Sequence, residues 1–188
     1  MKLHYKGKFD LDPESLPSLP HEPGAVKFRE AGDTSQLAAL ATKISISILV
    51  FCLALMVIRC GFVSLSYIFP GFIIATLCAF PHELLHAVCF KDDVYLYTNV
   101  KQGMLFVVGP ERMSKARFVF MSLLPNMVFG LLPYVLGLTL DVPPLAATGS
   151  VSLSMGAGDF YNVYNALTQM PRGAKTYLHK FNSYWYMP

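Results

Sequence analysis

The sequence predicts an all-α membrane protein: a bundle of four transmembrane helices with a short β-hairpin between helices 2 and 3. Of the 188 residues, 54% are hydrophobic and 14% are charged, whereas about 25% are charged in an average soluble domain. Several stretches also reach the roughly 20 apolar residues that a helix needs to cross a hydrocarbon layer. A soluble helical bundle is the alternative, but little polar sequence remains to cover its outside.

The four predicted spans follow one another through the middle of the chain. They cover approximately Leu37–Ile58, Ser66–Phe90, Phe118–Leu140 and Leu145–Met170. We therefore expect three parts. These are a polar N-terminal arm over residues 1–36, a four-helix transmembrane domain over residues 37–170 and a C-terminal tail over residues 171–188.

The distribution of Lys and Arg predicts the orientation of these spans. With four spans, the arm, the connection between spans 2 and 3 and the tail share one side, which carries every Lys and Arg except Arg59. The positive-inside rule makes that side cytoplasmic. We expect a multi-pass protein of the cell membrane, embedded in the lipid bilayer, with both termini in the cytoplasm. A net charge of +3 is too small and too dispersed to indicate nucleic-acid binding.

The connection between spans 2 and 3 contains two short runs that are typical of strands. Val94–Val100 and Met104–Val108 are rich in β-branched, aromatic and other apolar residues, and Lys101, Gln102 and Gly103 separate them. This pattern predicts a β-hairpin. The hairpin either caps the helical bundle or offers an edge to which an extended peptide adds as a further strand.

The second span ends in the motif His82-Glu83-Leu84-Leu85-His86. Side chains at positions i and i+4 share one face of a helix, so both imidazoles can reach one metal ion. Zinc binds neutral histidine nitrogens and suits this arrangement. Glu83 is the candidate general base that activates a zinc-bound water. Ionisable groups at membrane depth are expensive and tend to be functional, which favours this interpretation.

A catalytic zinc site needs a third protein ligand, for which Asp159 in the fourth span is the candidate. Counted from the cytoplasmic boundary, His82 and Asp159 differ in depth by roughly 6 Å, about one helical turn, which helix tilt can absorb. Gly156 and Gly158 permit close approach of another helix. Asn162, one turn after Asp159, is predicted to orient the carboxylate.

Three other polar residues are candidates for the site. Glu111 and Asp92 are alternative third ligands, but both fall in the polar connection between spans 2 and 3. Asn126, inside the third span, either bonds a neighbouring helix or contacts the substrate and its developing oxyanion.

These motifs resemble those of the small bacterial "putative zincin peptidase" membrane proteins, over roughly Tyr67 to Tyr186. The similar segments are the HELLH motif on a membrane helix, the strand-rich connection, a later Gly-Asp-Phe-x-Asn segment and the endings MPRGA and NSYWY. More distantly, the chain is similar to site-2-protease metalloproteases, which cleave peptides within or beside the membrane. The resemblance implies that His82 and His86 are zinc ligands, that Glu83 is catalytic and that Asp159 corresponds to the aspartate ligand.

Together, the motif and the resemblance predict an integral membrane zinc metallopeptidase with one Zn²⁺ per chain, acting on a membrane protein or peptide. A metal-binding membrane protein without peptidase activity, either a carrier or a degenerate adaptor or chaperone, is the first alternative. A purely structural membrane protein is the second. The sequence does not indicate an oligomeric state.

Overall fold

The computed structural model describes residues 1–61, 64–180 and 182–188. Helices dominate these residues. In chain order, the α-helices are α1 (Thr34–Cys60), α2 (Leu65–Leu77), α3 (Ala79–Val88), α4 (Lys115–Pro125), α5 (Leu132–Thr139), α6 (Pro143–Met155) and α7 (Ala157–Gln169). A π-helical segment, Asn126–Leu131, joins α4 to α5.

The described residues also form strands, in two sheets. In chain order, these strands are β1 (Leu3–Lys8), β2 (Val26–Lys27), β3 (Val94–Asn99), β4 (Met104–Val108), β5 (Met113–Ser114), β6 (Lys175–His179) and β7 (Asn182–Tyr186). One sheet has the order β1-β3-β4 and the other the order β2-β7-β6-β5. The predicted hairpin is confirmed as β3 and β4. The prediction of an all-α bundle with this hairpin as its sole β-structure is wrong, because residues assigned to the arm and the tail form strands of both sheets.

The number of long apolar helices is smaller than the predicted four. Among the described residues, two helices are long and apolar enough to cross a membrane, Thr34–Cys60 and Lys115–Thr139. The second predicted span is a pair, α2 and α3, bent by 41° at the break between them. Counting that pair as one span raises the number to three.

The fourth predicted span is interrupted near its middle, at Gly156. Helix α6 ends at Met155 and α7 begins at Ala157, so each has 13 residues. At 1.5 Å per residue, such a helix is about 20 Å long, short of a hydrocarbon core of about 30 Å. The continuous apolar composition of this stretch hides the break, which is why a hydropathy pattern predicts one span.

The chain divides into two compact units. The first comprises residues 1–30, 83–122 and 162–188, and the second comprises residues 31–82 and 123–161. Helices α3, α4 and α7 contribute residues to both. The predicted limits of the transmembrane domain, at residues 36 and 170, follow changes in polarity along the chain and stay a prediction.

The second unit is organised around α6, which packs against α1, α2 and α5. All residues from Ala146 to Ser154 are buried. The contacts are close because glycines face backbone: a Cβ on Gly149 would lie 2.3 Å from the backbone nitrogen of Tyr134, and one on Gly137 would lie 2.2 Å from that of Ala146. Small residues of this kind let helices approach closely.

The first unit contains both sheets. Strand β1 pairs with β3 in parallel, and β3 pairs with β4 in antiparallel orientation. The hairpin turns at Gly103, whose φ of 64° lies in the left-handed region that favours glycine. Phe9, Tyr97 and Phe106 form an aromatic cluster on this sheet, with Phe9 edge-on to both other rings. The N-terminal segment is thus anchored to the hairpin.

Candidate metal centre

Helix α3 presents two histidines one turn apart. His82 and His86 occupy positions i and i+4, so their side chains share one helix face. The helix accommodates Pro81 because this residue lies in the first turn, where a backbone N–H has no intrahelical acceptor. His86 is buried and His82 is partly buried. The helix therefore holds the two imidazoles of the motif on one side, largely shielded from solvent.

The ring of His86 is oriented by the backbone of α4. Its Nδ1 lies 3.0 Å from the carbonyl oxygen of Met121. A carbonyl only accepts hydrogen bonds, so Nδ1 carries the proton and Nε2 retains the lone pair that a metal needs. The Met121 carbonyl is suited to this contact, because the residue four positions later is Pro125, which has no N–H.

Asp159 contacts His82 directly. Its Oδ2 lies 3.1 Å from Nε2 of His82, and their side chains are 15% and 16% exposed, respectively. Asp159 stands in the first turn of α7, immediately after the break at Gly156. The break that overturns the continuous fourth span therefore also positions the predicted third ligand.

Asn126 fixes the Asp159 carboxylate. Its Nδ2 donates a hydrogen bond of 2.8 Å to Oδ2, the same oxygen that faces His82. Asn126 is 2% exposed and begins the π-helical segment after α4; such segments are frequent at functional sites. Gly156 leaves room for the amide, because a Cβ there would lie 1.7 Å from Oδ1 of Asn126.

The three predicted ligands lie close enough to share one ion. One ligand atom from each of His82, His86 and Asp159 lies within 4.8 Å of the other two. Two imidazole nitrogens and one carboxylate oxygen, with a fourth position left for water, are a donor set typical of catalytic zinc. The side chains that are present therefore fit a zinc ion.

Glu83 follows His82 on α3 and is partly buried. Its Oε2 accepts a hydrogen bond of 2.9 Å from the backbone N–H of Val107 in β4. Because β4 is the last strand in the order β1-β3-β4, this N–H belongs to the sheet edge. The candidate general base thus contacts the hairpin that the sequence predicts.

Glu111, one alternative third ligand, is engaged elsewhere. Its carboxylate accepts hydrogen bonds from the guanidinium of Arg117 and from the backbone N–H groups of Lys91 and Asp92. Burial raises the pKa of Glu111, but these hydrogen bonds outweigh it and hold the pKa below its usual value. Asp92, the other alternative, is exposed. Within the described residues, only His82, His86 and Asp159 form a candidate metal-binding group.

Comparison with known proteins gives one result. A family model described as "Putative zincin peptidase" matches residues 73–175, more than half of the chain. The chain belongs to this family. Searches of curated proteins and of solved structures found no match.

Membership of the zincin peptidase family confirms the resemblance predicted from the motifs. The matched residues include the HELLH helix, the hairpin and Asp159. The family implies zinc as the metal and metallopeptidase as the class of activity. A role of Asn162 in orienting Asp159 stays a prediction. Of the two alternatives for Asn126, the bond to a neighbouring helix is confirmed, because its amide donates to Asp159 in α7. A contact of Asn126 with the oxyanion stays a prediction.

Proposed function

We propose that the protein is an integral membrane zinc metallopeptidase that hydrolyses peptide bonds within or next to the membrane. The observation that carries the proposal is the grouping of His82, His86 and Asp159 within 4.8 Å in a member of the zincin peptidase family. Two helices long and apolar enough to cross a bilayer support a membrane location.

The residues of the chain divide the chemistry between them. A zinc ion held by the three ligands would supply Lewis acidity, polarising the scissile carbonyl and acidifying water. Glu83 takes a proton from the attacking water and passes it to the leaving amine. Asn126 holds Oδ2 of Asp159, which keeps the carboxylate turned towards His82.

Metal analysis of the full chain in detergent micelles tests the ligand set. We expect stoichiometric zinc in the wild type and a large loss in His86→Ala. His179→Ala is the matched control, because His179 is bonded to the carbonyl of Leu19 in the first unit and should leave zinc content unchanged. Wild-type protein that neither contains zinc nor takes it up would contradict the proposal.

Glu83→Gln separates a peptidase from a metal-binding protein without peptidase activity. The hydrogen bond from Val107 to Glu83 would serve either kind of protein, so the variant is judged by its zinc content and its cleavage activity. A peptidase variant should keep its zinc and lose cleavage of labelled casein and of a single-span model peptide. Unchanged cleavage in Glu83→Gln would instead show that Glu83 is not the general base.

We also propose that a substrate peptide binds along the edge of β4. A transmembrane helix must unwind before its bonded carbonyls can be attacked, and an extended strand then needs a partner. The backbone N–H of Val107 points to Glu83 and away from β3. Because backbone groups alternate along a strand, the N–H of Leu105 points to the same open edge. A peptide paired there would pass beside Glu83.

Proline substitution tests this edge. Leu105→Pro removes an outward N–H while leaving the inward hydrogen bonds to β3, and we expect peptide cleavage to fall with zinc content unchanged. Lys6→Pro is the control at the opposite edge, because Lys6 lies at the bulge in β1. Equal cleavage by Leu105→Pro and the wild type would refute strand addition.

The proposed location is the cell membrane, with both termini in the cytoplasm. The support is the predicted asymmetry of Lys and Arg, of which Arg59 alone lies apart at the end of α1. Single-cysteine variants at Ser35 and at Gly61 would be probed with a membrane-impermeant thiol reagent in intact cells. Labelling at position 61 but not at position 35 is expected, and the reverse pattern would overturn the orientation.

A further inference from the structure

Arg117 holds the C-terminal end of the helix that carries both histidines. Its Nε and Nη2 donate to the carbonyl oxygen of Cys89 across 3.0 and 2.6 Å. Helix α3 ends at Val88, so this carbonyl belongs to the helix terminus, where backbone acceptors lack intrahelical donors. A guanidinium there also complements the negative end of the helix dipole.

Glu111 braces the Arg117 side chain. Its Oε1 pairs with Nη1 of Arg117. Its Oε2 accepts N–H groups from Lys91 at 2.6 Å and from Asp92 at 3.2 Å. With its side chain 6% exposed, Glu111 is a buried carboxylate whose charge is paired and hydrogen-bonded. The pair therefore ties the segment after α3 to the start of α4.

The same stretch of α4 also contacts His86. Arg117 and Met121 are one turn apart in α4, and the Met121 carbonyl lies 3.0 Å from Nδ1 of His86. His86 precedes Cys89 by three residues, so α4 holds the last turn of α3 at two points.

We propose that Arg117, braced by Glu111, is a positioning residue for the zinc ligand His86. This inference rests on the proposed function, because it assumes that His86 binds the metal. The planar guanidinium reaches the Cys89 carbonyl with two donors and Glu111 with a third, an arrangement that a lysine ammonium does not reproduce.

Arg117→Lys is therefore the decisive variant. It keeps the positive charge but loses the planar guanidinium and its several donors. We expect zinc affinity to fall about 10-fold, as measured by chelator competition on the full chain in micelles. Arg112→Lys is the matched control, because Arg112 pairs with Glu22 in the same unit, and it should leave zinc affinity unchanged. Zinc affinity in Arg117→Lys equal to that of the wild type would overturn the proposal.

A double-variant comparison separates positioning from general destabilisation. If Arg117 acts through His86, Arg117→Lys should lower the zinc affinity of the otherwise wild-type chain. The same substitution should not lower the residual zinc affinity of His86→Ala any further. An equal additional loss in both backgrounds would overturn the proposal. Should Arg117→Lys fail to fold, Glu111→Gln takes its place. We expect a smaller loss of zinc affinity in Glu111→Gln, and an unchanged zinc affinity would contradict the proposal. A wild type without zinc refutes the proposed function, whereas a zinc-binding wild type with unaffected variants refutes this inference alone.

Discussion

Asn126 and Asp159 meet across 2.8 Å, and their hydrogen bond reaches the same carboxylate oxygen that faces His82. The bond joins the start of a π-helical segment to the first turn of α7. A carboxylate that shares one oxygen between an amide donor and an imidazole has little rotational freedom. The third predicted ligand is therefore pre-oriented by residues outside the proposed ligand set.

Removing this amide should weaken the metal site. We expect Asn126→Ala to lower zinc affinity about 10-fold, because Asp159 loses the donor that fixes its Oδ2. Asn99→Ala is the control, since Asn99 is a buried asparagine that donates to the carbonyl of Phe9 in the first unit. Chelator competition measures the effect. A drop of the same size in both variants would show that the loss reflects general destabilisation.

Gly156 provides a second test of the same relationship. A Cβ at this position would lie 1.7 Å from Oδ1 of Asn126, and a flexible side chain yields more readily than backbone. Gly156→Ala should therefore push the amide away from Asp159 and reduce zinc affinity. We also expect a loss of about 1–3 kcal/mol in the free energy of unfolding, as in other overpacked sites.

Gly158→Ala is the matched control for Gly156→Ala. The two glycines lie two residues apart, but a Cβ on Gly158 would meet nothing within 4 Å. This variant should retain the zinc affinity of the wild type, and its thermal midpoint should be equal or higher, because Ala favours a helix more than Gly does. Equal behaviour of the two variants would contradict the assigned role of Gly156.

The parts of the site that depend on local spacing are predictable from sequence. His82 and His86 share a helix face wherever a helix forms, and β3 and β4 are joined by a short turn with Gly103. Asp159 is predictable only through its depth in the membrane, counted in residues from the cytoplasmic boundary. Asn126 could not be assigned its contact, because a π-helical segment changes the residues per turn and thus the direction of its side chain.

The remaining β-structure depends on pairings between distant residues. Strand β1 pairs with β3 across about half of the chain, and the exposure of its residues shows no strict alternation. Lys2 and His4 both contact Asp93, an interaction that leaves no trace in the local pattern. A polar segment of this kind is predicted to be an extended arm, because its hydrophobic periodicity and its composition do not reveal which strand it pairs with.

Glu111 should make the stability of the protein sensitive to acid. Its pKa is below the usual 4.5 in the folded state, so its contribution to stability is present above pH 4.5 and is lost as the pH falls through the lowered value. We expect the thermal midpoint of the wild type to drop more steeply than that of Glu111→Gln between pH 5 and 3. Parallel curves for the two proteins would contradict the lowered pKa.

Glu30 should show the opposite sign. Burial raises the pKa of its carboxyl, although the hydrogen bond from Ser183 opposes the shift. An acid with a raised pKa binds its proton more tightly in the folded state, so ionisation at neutral pH costs stability that protonation restores. Glu30→Gln, which keeps an acceptor for the Ser183 N–H, should therefore raise the thermal midpoint at pH 7 and lose this advantage near pH 4. A variant less stable than the wild type at pH 7 would show that the hydrogen bonds of the carboxylate outweigh its desolvation.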